Sequence, residues 1–243
     1  MRAEAPRRDY VGRPLARSDL VARRARRILR PRWLALFRTA PLSARWGADR
    51  GLPVDRYYIE RFLDANRGAI RGSVLEIKQS LYTDRLGVEV RERGVLDVDP
   101  ANERATIVAD LTRADAIPDD SFDCFILTQT LQYVYDVRAA VRHAHRILRP
   151  GGVLLCTVPS VSRIEPGWLD GEFWRFTRAS CRRLFEESFG EGNVSVAACG
   201  NALASIAFLA GIAAEELRRR QLDESDEYFP LLLTVRAEKR RAA

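Results

Sequence analysis

The sequence has few of the residues that build metal, redox or disulfide sites. Its 243 residues include 2 His and 4 Cys, and no two cysteines form a C-x-x-C pair. His143 and His145 stand two positions apart on a predicted helix, so they lie on different faces and do not make the i, i+4 pair of a helical zinc site. We therefore expect no metal site, and we expect the cysteines to be reduced, buried thiols.

Long apolar runs are also lacking. The longest, Ala202 to Ala214, contains Ser205 and is shorter than the roughly 20 residues that span a bilayer. The apolar stretch 33–37 follows Pro31 and is shorter than the roughly 7-residue core of a signal peptide. The sequence thus predicts a cytoplasmic protein. The density of apolar residues from 202 to 214 predicts burial against the N-terminal helices or in a homodimer.

Glycine is missing from a turn that normally requires it. The stretch VLEIKQSLYTDRLG, residues 74–87, begins like a buried strand that runs into a nucleotide-binding turn. Lys78, Ser80 and Tyr82 occupy the G-x-G-x-G positions, where glycine permits a sharp bend and close approach to a ligand. Two interpretations stay open: a wider turn that still binds a nucleotide, or altered or lost binding.

Positive charge is concentrated in the first 40 residues, which hold twelve Arg against Glu4, Asp9 and Asp19. From 20 to 37, arginines alternate with apolar residues around Pro31, which predicts a broken basic amphipathic helix. We expect it either to pack on its own domain or to contact an anionic surface. The arginines concerned are Arg23, Arg24, Arg26, Arg27 and Arg30. No aromatic and basic pattern predicts specific binding of nucleic acid.

From residue 73 onward, short apolar strands alternate with helices. Strands are predicted at 73–77, 95–98, 106–109, 122–128, 153–158, 194–198 and 231–237, and helices at 55–62, 137–148, 180–189 and 202–220. This alternation is typical of a doubly wound α/β domain whose parallel sheet is covered on both faces. We expect a basic N-terminal helical arm and lid over residues 1–69 and the α/β domain over residues 70–243.

Polar residues follow the predicted strands, at the edge of the sheet where ligands bind in such folds. Glu76 lies in the first strand, and Asp99 comes just after the second. An acidic residue that follows the second strand, about 20 residues beyond the first, accepts the hydroxyl hydrogens of a ribose. Asp99 meets that requirement.

At this point the chain resembles a known family, the class I S-adenosylmethionine-dependent methyltransferases of the small-molecule type. The segment DAIPDDSFDCFILTQTLQYVYDVRAAVRHAHRILRPGGVLLCTVP, residues 115–159, carries the likeness. The flanking WGADRGLPVDRYYIERFL and FWRFTRASCRRLFEESFG resemble a bacterial subgroup. The resemblance implies a Rossmann-like seven-stranded sheet with the last strand antiparallel, and S-adenosyl-L-methionine as cofactor.

The same resemblance implies roles for individual residues. Asp99 would take the ribose hydroxyls, Asp110 and Leu111 would flank the adenine, and Thr128 and Gln129 would line the methionine end. Lys78 is open to two interpretations: its ammonium repels a sulfonium in a low-dielectric cleft, or it reaches the methionine carboxylate. Candidates for the acceptor pocket are Tyr57, Tyr58, Gln132, Tyr133, Trp174 and Arg175.

The function expected from the sequence is methyl transfer to a small molecule, a sugar or a biosynthetic intermediate. No catalytic residue is assigned, because in-line methyl transfer depends mainly on holding the acceptor and the methyl group together. The missing glycines leave two alternatives open. One is altered chemistry in the same cleft, a rearrangement or an elimination, and the other is a binding partner without catalysis.

Overall fold

The computed structural model describes residues 16–29 and 37–241. These residues form two compact units. The first comprises 16–29, 37–60 and 199–231, and the second comprises 61–198 and 232–241. The domain limits expected from the sequence, 1–69 and 70–243, differ from these units and stay a prediction.

The sheet has seven strands in the order β3-β2-β1-β4-β5-β7-β6. Neighbours from β3 to β5 pair in parallel, and β7 runs antiparallel to β5. The strands are β1 Gly72–Ile77, β2 Val90–Asp97, β3 Ile107–Val108, β4 Phe122–Thr128, β5 Leu148–Pro159, β6 Val194–Cys199 and β7 Leu232–Glu238. The predicted Rossmann-like sheet with an antiparallel last strand is confirmed.

Seven α-helices accompany the sheet in the described residues. They are α1 Arg17–Leu29, α2 Val54–Ala65, α3 Leu81–Leu86, α4 Val137–Ile147, α5 Arg178–Phe189, α6 Ala202–Ala210 and α7 Arg219–Asp223. The helix α4 begins where the carboxylate of Asp136 accepts a hydrogen bond from the N–H of Ala139, the usual N-cap arrangement. Among these helices, none is long and apolar enough to cross a membrane.

The main core cluster of the second unit lies on one face of the sheet. It consists of inward residues of β1, β4, β5 and β7 together with apolar faces of α4 and α5. Phe125, Leu127 and Leu154 are fully buried there, and Ile126 and Leu155, which point to the opposite face, are fully buried as well, as strands covered on both faces require. This burial fixes the central strands and therefore the edge at which their carboxyl ends meet.

The prediction of one long helix from Ala202 to Arg220 is wrong. Gly211 ends α6 with φ +71°, a left-handed C-cap that glycine adopts without steric cost. A Cβ at this position would stand 2.3 Å from the carbonyl oxygen of Ser43. The chain continues as a 3₁₀ turn, Ala214–Glu216, and then as α7. Helix α6 buries Ala204, Ala207 and Phe208 but leaves Leu203, Ile206 and Leu209 about half exposed.

The arginines of α1 contact main chain within the first unit. The side chains of Arg23, Arg26 and Arg27 donate to the carbonyl oxygens of residues 51, 49 and 50, at 3.4, 2.8 and 2.8 Å. The predicted interruption at Pro31 and the side chain of Arg30 lie outside the described residues. The predicted contact with an anionic surface, and the predicted homodimer, stay predictions.

Arg50 is the largest fully buried side chain of the described residues. Its guanidinium makes two hydrogen bonds to the carboxylate of Glu216, at 2.8 and 2.6 Å, and a third to the carbonyl of Arg26. A buried pair of this kind is costly to break from one side, because the remaining charge is left uncompensated. It ties together parts of the first unit that are distant from each other in the sequence.

Candidate functional site

The turn after β1 keeps a glycine-type backbone without a glycine. Lys78 has φ +66°, and the N–H of Gln79 returns to the carbonyl of Ile77 at 2.8 Å. This is a three-residue γ-turn centred on Lys78, in its rarer form with positive φ. Such a conformation costs of order 1–3 kcal/mol for a residue with a Cβ and persists only where its surroundings impose it.

Two hydrogen bonds impose that conformation from the neighbouring strand and loop. The N–H of Lys78 donates to the carbonyl of Leu96 in β2 at 3.0 Å. The carbonyl of Lys78 accepts from the side-chain amide of Asn102 at 2.9 Å. The side chain of Lys78 is exposed, at the edge of the sheet where open α/β folds bind their ligands.

Glu76 holds the segment that follows the turn. Its carboxylate is buried and accepts from the N–H of Tyr82 at 3.0 Å, the N–H of Thr83 at 2.8 Å and the hydroxyl of Thr83 at 2.7 Å. Burial raises the pKa of Glu76 to about 7, although the three hydrogen bonds favour the charged form. The first turn of α3 is therefore anchored on β1 through one side chain.

Asp97 ends β2 and organises the loop that carries Asp99. One carboxylate oxygen of Asp97 accepts from the amide of Asn102 at 2.7 Å, and the other accepts from the N–H of Asp99 at 3.1 Å. Asp99 itself is exposed, and one of its carboxylate oxygens accepts from the N–H of Ala101. The loop thus presents the Asp99 carboxylate to solvent, while Asn102 links the same loop to Lys78.

Asp110 lies beyond β3 and caps the 3₁₀ turn Leu111–Arg113. Its carboxylate accepts from the N–H and the hydroxyl of Thr112, at 2.8 and 2.9 Å. Leu111 is buried in the core. Asp110 is exposed, so of these two predicted adenine neighbours only Asp110 offers a polar group to solvent.

At the end of β4, the chain bends again through a positive φ. Gln129 has φ +48°, and its N–H donates to the carbonyl of Thr157 in β5 at 2.8 Å. Thr128 is the last residue of β4 and is partly exposed. Both residues therefore lie at the carboxyl edge of the sheet, as expected for the methionine end, and their roles stay predictions.

The segment after β5 is tied to the segment after β4 through Gln132. The carbonyl of Gln132 accepts from the N–H of Phe173 at 2.7 Å and from the N–H of Trp174 at 3.3 Å. The side chain of Gln132 is buried and donates to the carbonyl of Gln129. The indole N–H of Trp174 donates to the carbonyl of Val134 at 3.0 Å. These hydrogen bonds consequently hold residues 131–135 and residues 173–174 together.

Charged side chains add further bonds within the segment that follows β5. Arg175 binds Glu172 at 2.8 Å and also donates to the carbonyls of Ser162 and Arg163, at 3.4 and 3.1 Å. A carboxylate oxygen of Glu172 accepts from the N–H of Glu165 at 2.9 Å. Arg175, predicted as a pocket residue, is thus engaged with its own loop.

The hydroxyl of Tyr133 donates to the carboxylate of Glu165 at 2.7 Å. Burial and this bond raise the pKa of Tyr133, which therefore stays protonated at neutral pH. Its ring packs against Trp168, with ring centroids 4.9 Å apart. Tyr133, Gln132 and Trp174 were predicted separately as pocket residues, and the structure brings them together.

Tyr57 and Tyr58 lie in the first unit. The hydroxyl of Tyr58 is buried and donates to the carbonyl of Leu222 at 2.9 Å. The hydroxyl of Tyr57 donates to the carboxylate of Asp223. These bonds anchor α2 to α7, and a role of either tyrosine in an acceptor pocket stays a prediction.

In the described residues, no group of three His, Cys, Asp or Glu side chains is arranged to hold a metal ion. Cys124, Cys156 and Cys181 are buried free thiols. Burial raises the pKa of each of these thiols, which disfavours the reactive thiolate.

Sequence reasoning missed several residues of this edge. Asn102, which Asp97 holds, organises the turn after β1, and Trp168, Phe173 and Tyr135 extend the aromatic structure after β4 and β5. The aromatic residues stand in the sequences QYVY and GWLDGEFWRF, and their density is a usable signal. Nothing in the sequence marks Asn102, because its role depends on the fold of the loop.

Comparisons with known proteins agree with this geometry. Residues 68–156 match a family described as "Methyltransferase domain". A curated protein of Bartonella tribocorum, the ubiquinone/menaquinone biosynthesis C-methyltransferase UbiE, is 30% identical over 122 residues, which cover 48% of this chain and 42% of that protein. The chain therefore matches less than half the length of that relative.

Solved structures share the fold at low sequence identity. A sarcosine dimethylglycine methyltransferase from Galdieria sulphuraria, described as putative, superposes with a TM-score of 0.53 at 13% identity, over 77% of this chain and 90% of that chain. A methyltransferase from Archaeoglobus fulgidus gives 0.51 at 12% identity, over 76% and 94%. The [4+2]-cyclase SpnF gives 0.50 at 15% identity, over 94% and 99%.

Proposed function

We propose, from the premise that the α/β unit is a class I S-adenosylmethionine-dependent methyltransferase domain, that this protein methylates a small molecule. The UbiE protein is described as a C-methyltransferase of quinone biosynthesis, which supports a biosynthetic intermediate as acceptor. The acceptor atom is left open.

The observation that carries the proposal is the turn after β1. Its lost glycines raised the alternative of lost cofactor binding, yet Lys78 holds φ +66°, a conformation that glycine adopts freely. The Lys78 main chain is held by Leu96 and Asn102, and α3 is held by Glu76. The backbone geometry that the glycine would provide is thus built by other contacts.

The donor set at this edge fits the cofactor. Asp99 offers an exposed carboxylate for two ribose hydroxyls. The exposed ammonium of Lys78 suits the carboxylate of the methionine part, and Asp110 offers an acceptor for the adenine amine. When bound, S-adenosylmethionine supplies a methyl group on a sulfonium sulfur.

The chain contributes positioning to the reaction. Thr128 and Gln129 stand at the carboxyl end of β4, and Gln132 orients the segment that follows. Holding two reactants in line accounts for a large part of the rate enhancement in such reactions. No side chain is assigned as a general base.

A second candidate is a reaction other than methyl transfer in the same cleft. The observation that favours it is the ammonium of Lys78, a cation at the edge where a sulfonium would bind. The SpnF structure, which is described as a [4+2]-cyclase, shares the fold over 94% of this chain. Cofactor binding with no methylation of any acceptor would favour this candidate.

The first test is calorimetric titration with S-adenosylmethionine and with its demethylated product. Asp99→Ala should weaken binding by roughly 1–3 kcal/mol, the range of hydrogen bonds to charged groups. Because the Asp99 carboxylate also accepts from Ala101, Asp99→Asn serves as a second variant that retains an oxygen for this bond. The matched control is Glu103→Ala, which removes an exposed carboxylate from the same loop.

The results test the proposed cofactor site. Weaker binding by both Asp99 variants and unchanged binding by the Glu103 variant would support the proposed site. Equal binding by all of them would remove Asp99 from it. Failure of the parent protein to bind either compound would overturn the proposed function.

A further inference from the structure

Five aromatic rings lie in two neighbouring groups at the surface of the second unit, a pair and a set of three. We call the two groups together the aromatic rim. Its members are Tyr133, Tyr135, Trp168, Phe173 and Trp174. Tyr135 is 72% exposed, and Trp168, Phe173 and Trp174 are 43%, 45% and 37% exposed. Exposed large apolar groups scattered singly are normal on proteins, whereas a contiguous patch marks a binding surface.

The rings are ordered against one another. Tyr135 meets Phe173 edge to face, with ring centroids 5.3 Å apart, and lies nearly parallel to Trp174 at 6.1 Å. Tyr133 and Trp168 form a second pair at 4.9 Å. Such arrangements follow the quadrupole of aromatic rings and leave faces and edges open to a further ring.

The main chain beneath the rim is fixed before any ligand binds. Phe173 and Trp174 donate their N–H groups to Gln132, and the indole of Trp174 donates to Val134. A surface that is ordered in advance loses little conformational entropy on binding. This favours a ligand that fits the rings as they stand.

Two carboxylates beside the rim are already paired. Glu172 binds Arg175, and Glu165 accepts the hydroxyl of Tyr133. A ligand selected by charge or by many hydroxyl groups would have to compete with these bonds. The surface that remains for a ligand consists mainly of ring faces.

The rim lies at the edge where the reaction is proposed to occur. Its segments follow β4 and β5, which are neighbouring parallel strands, so their carboxyl ends meet at the same edge of the sheet. Gln129 follows β4, and Gln132 bonds to it. The rim is therefore continuous with the proposed methionine end of the cofactor site.

We propose that the rim binds the methyl acceptor and that this acceptor carries a planar aromatic ring. The inference rests on the proposed function, which it deepens by naming the substrate class. Small-molecule sites are lined mainly by apolar and aromatic side chains, and a planar ring gains from stacking on rings of this kind.

The test uses two probes that differ in planarity, 2-naphthol and its saturated analogue 2-decalol, in equilibrium dialysis with the full chain. 2-Naphthol should bind about fivefold or more tightly than 2-decalol. Tyr135→Ala should weaken 2-naphthol binding about three- to tenfold. Tyr135 is the most exposed ring of the rim, so its removal should leave the fold intact.

Tyr228→Ala is the matched control, because Tyr228 is 91% exposed and belongs to the first unit. It should leave the binding of 2-naphthol unchanged. Equal binding of the two probes, or equal binding of 2-naphthol by the parent and the Tyr135 variant, would overturn the inference. So would light scattering that shows self-association abolished by Tyr135→Ala, because the rim would then be an interface between copies.

Titration with S-adenosylmethionine on the same samples keeps the two proposals apart. The Tyr135 variant should bind the cofactor like the parent. If neither binds the cofactor, the proposed function fails. If both bind it and 2-naphthol does not distinguish them, only the aromatic acceptor fails.

Discussion

The two halves of the candidate site are built in different ways, although both lie at carboxyl ends of strands in one sheet. At β1 and β2, the structure depends on two buried carboxylates: Glu76 accepts three hydrogen bonds, and Asp97 accepts two. At β4 and β5, several separate contacts share the task, among them the bonds made by Gln132, Trp174 and Arg175.

This difference explains how the first half loses its glycines and keeps its turn. With Glu76 holding α3 on one side and Asn102 holding Lys78 on the other, the backbone conformation no longer depends on the residue type at position 78. In the second half no single contact has such weight. We therefore expect one substitution in the first half to cause a large loss of stability, whereas single substitutions in the second half should each cause a small loss.

The largest expected effect comes from Glu76→Ala. The N–H groups of Tyr82 and Thr83 would lose their buried acceptor, at about 1–3 kcal/mol each, so we expect unfolding in urea to show a loss of roughly 3 kcal/mol. Because burial raises the pKa of Glu76 to about 7, the measurement belongs at pH 5. There the folded carboxyl is protonated, and only the partial ionisation of the unfolded chain, whose carboxyl has a pKa near 4.5, still lowers the stability of the parent.

Glu165→Ala is the counterpart in the second half. It removes the partly exposed acceptor of one hydroxyl, that of Tyr133, and should cost about 1 kcal/mol or less. Glu76→Gln, which keeps one acceptor oxygen, should fall between the two. Equal losses for Glu76→Ala and Glu165→Ala would refute the contrast between the halves.

The sequence predicts the order and place of the strands because each contains a short apolar run, but β2 and β5 each begin five residues before the predicted start. Phe122–Thr128 has the predicted limits, and Val194–Cys199 extends slightly beyond them. The sequence does not predict the positive φ of Lys78, because a rule that assigns such turns to glycine cannot see the contacts made by Leu96 and Asn102. The pair of Arg50 and Glu216 is hidden for the same reason, since its partners lie far apart in the chain.

About half of the residues of the candidate site can be predicted from the sequence. Glu76, Asp99 and Asp110 follow from their places in or after strands, and the structure puts them near the same edge. The aromatic rim is harder to predict, since a whole helix and a strand separate Tyr133 from Trp168 in the sequence. Only the register of β4 against β5 brings their segments together.

A smaller effect, and a more specific one, is expected from Lys78→Gly. A positive φ costs a residue with a Cβ about 1–2 kcal/mol, whereas glycine adds about 0.5–1 kcal/mol of unfolded-state entropy. The net result should be about 1 kcal/mol of added stability. Affinity for S-adenosylmethionine should stay within about tenfold, because the turn is kept while one charge is lost.

Lys78→Ala distinguishes the effect of the backbone conformation from the effect of the ammonium charge. It keeps the Cβ and removes the charge, so its stability should equal that of the parent while its affinity follows that of the glycine variant. A gain in affinity by both variants, with loss of the native activity, would favour the second candidate function. Equal stability of Lys78→Gly and Lys78→Ala would mean that the strain of the turn does not exceed the roughly 0.5–1 kcal/mol of unfolded-state entropy that glycine adds.

The smallest effect is expected in the second half, from Trp174→Phe. The change removes one hydrogen bond, from the indole to the carbonyl of Val134, and keeps an aromatic ring in the rim. Since Trp174 is 37% exposed, water can donate to the carbonyl of Val134 in place of the lost indole, and the cost should be about 0.5 kcal/mol.

Trp168→Phe is the matched control, because no residue of the described chain accepts from its indole N–H. The difference between the two variants in urea unfolding isolates the bond to Val134. A much larger loss for Trp174→Phe, comparable with that of Glu76→Ala, would mean that this half, too, depends strongly on one contact.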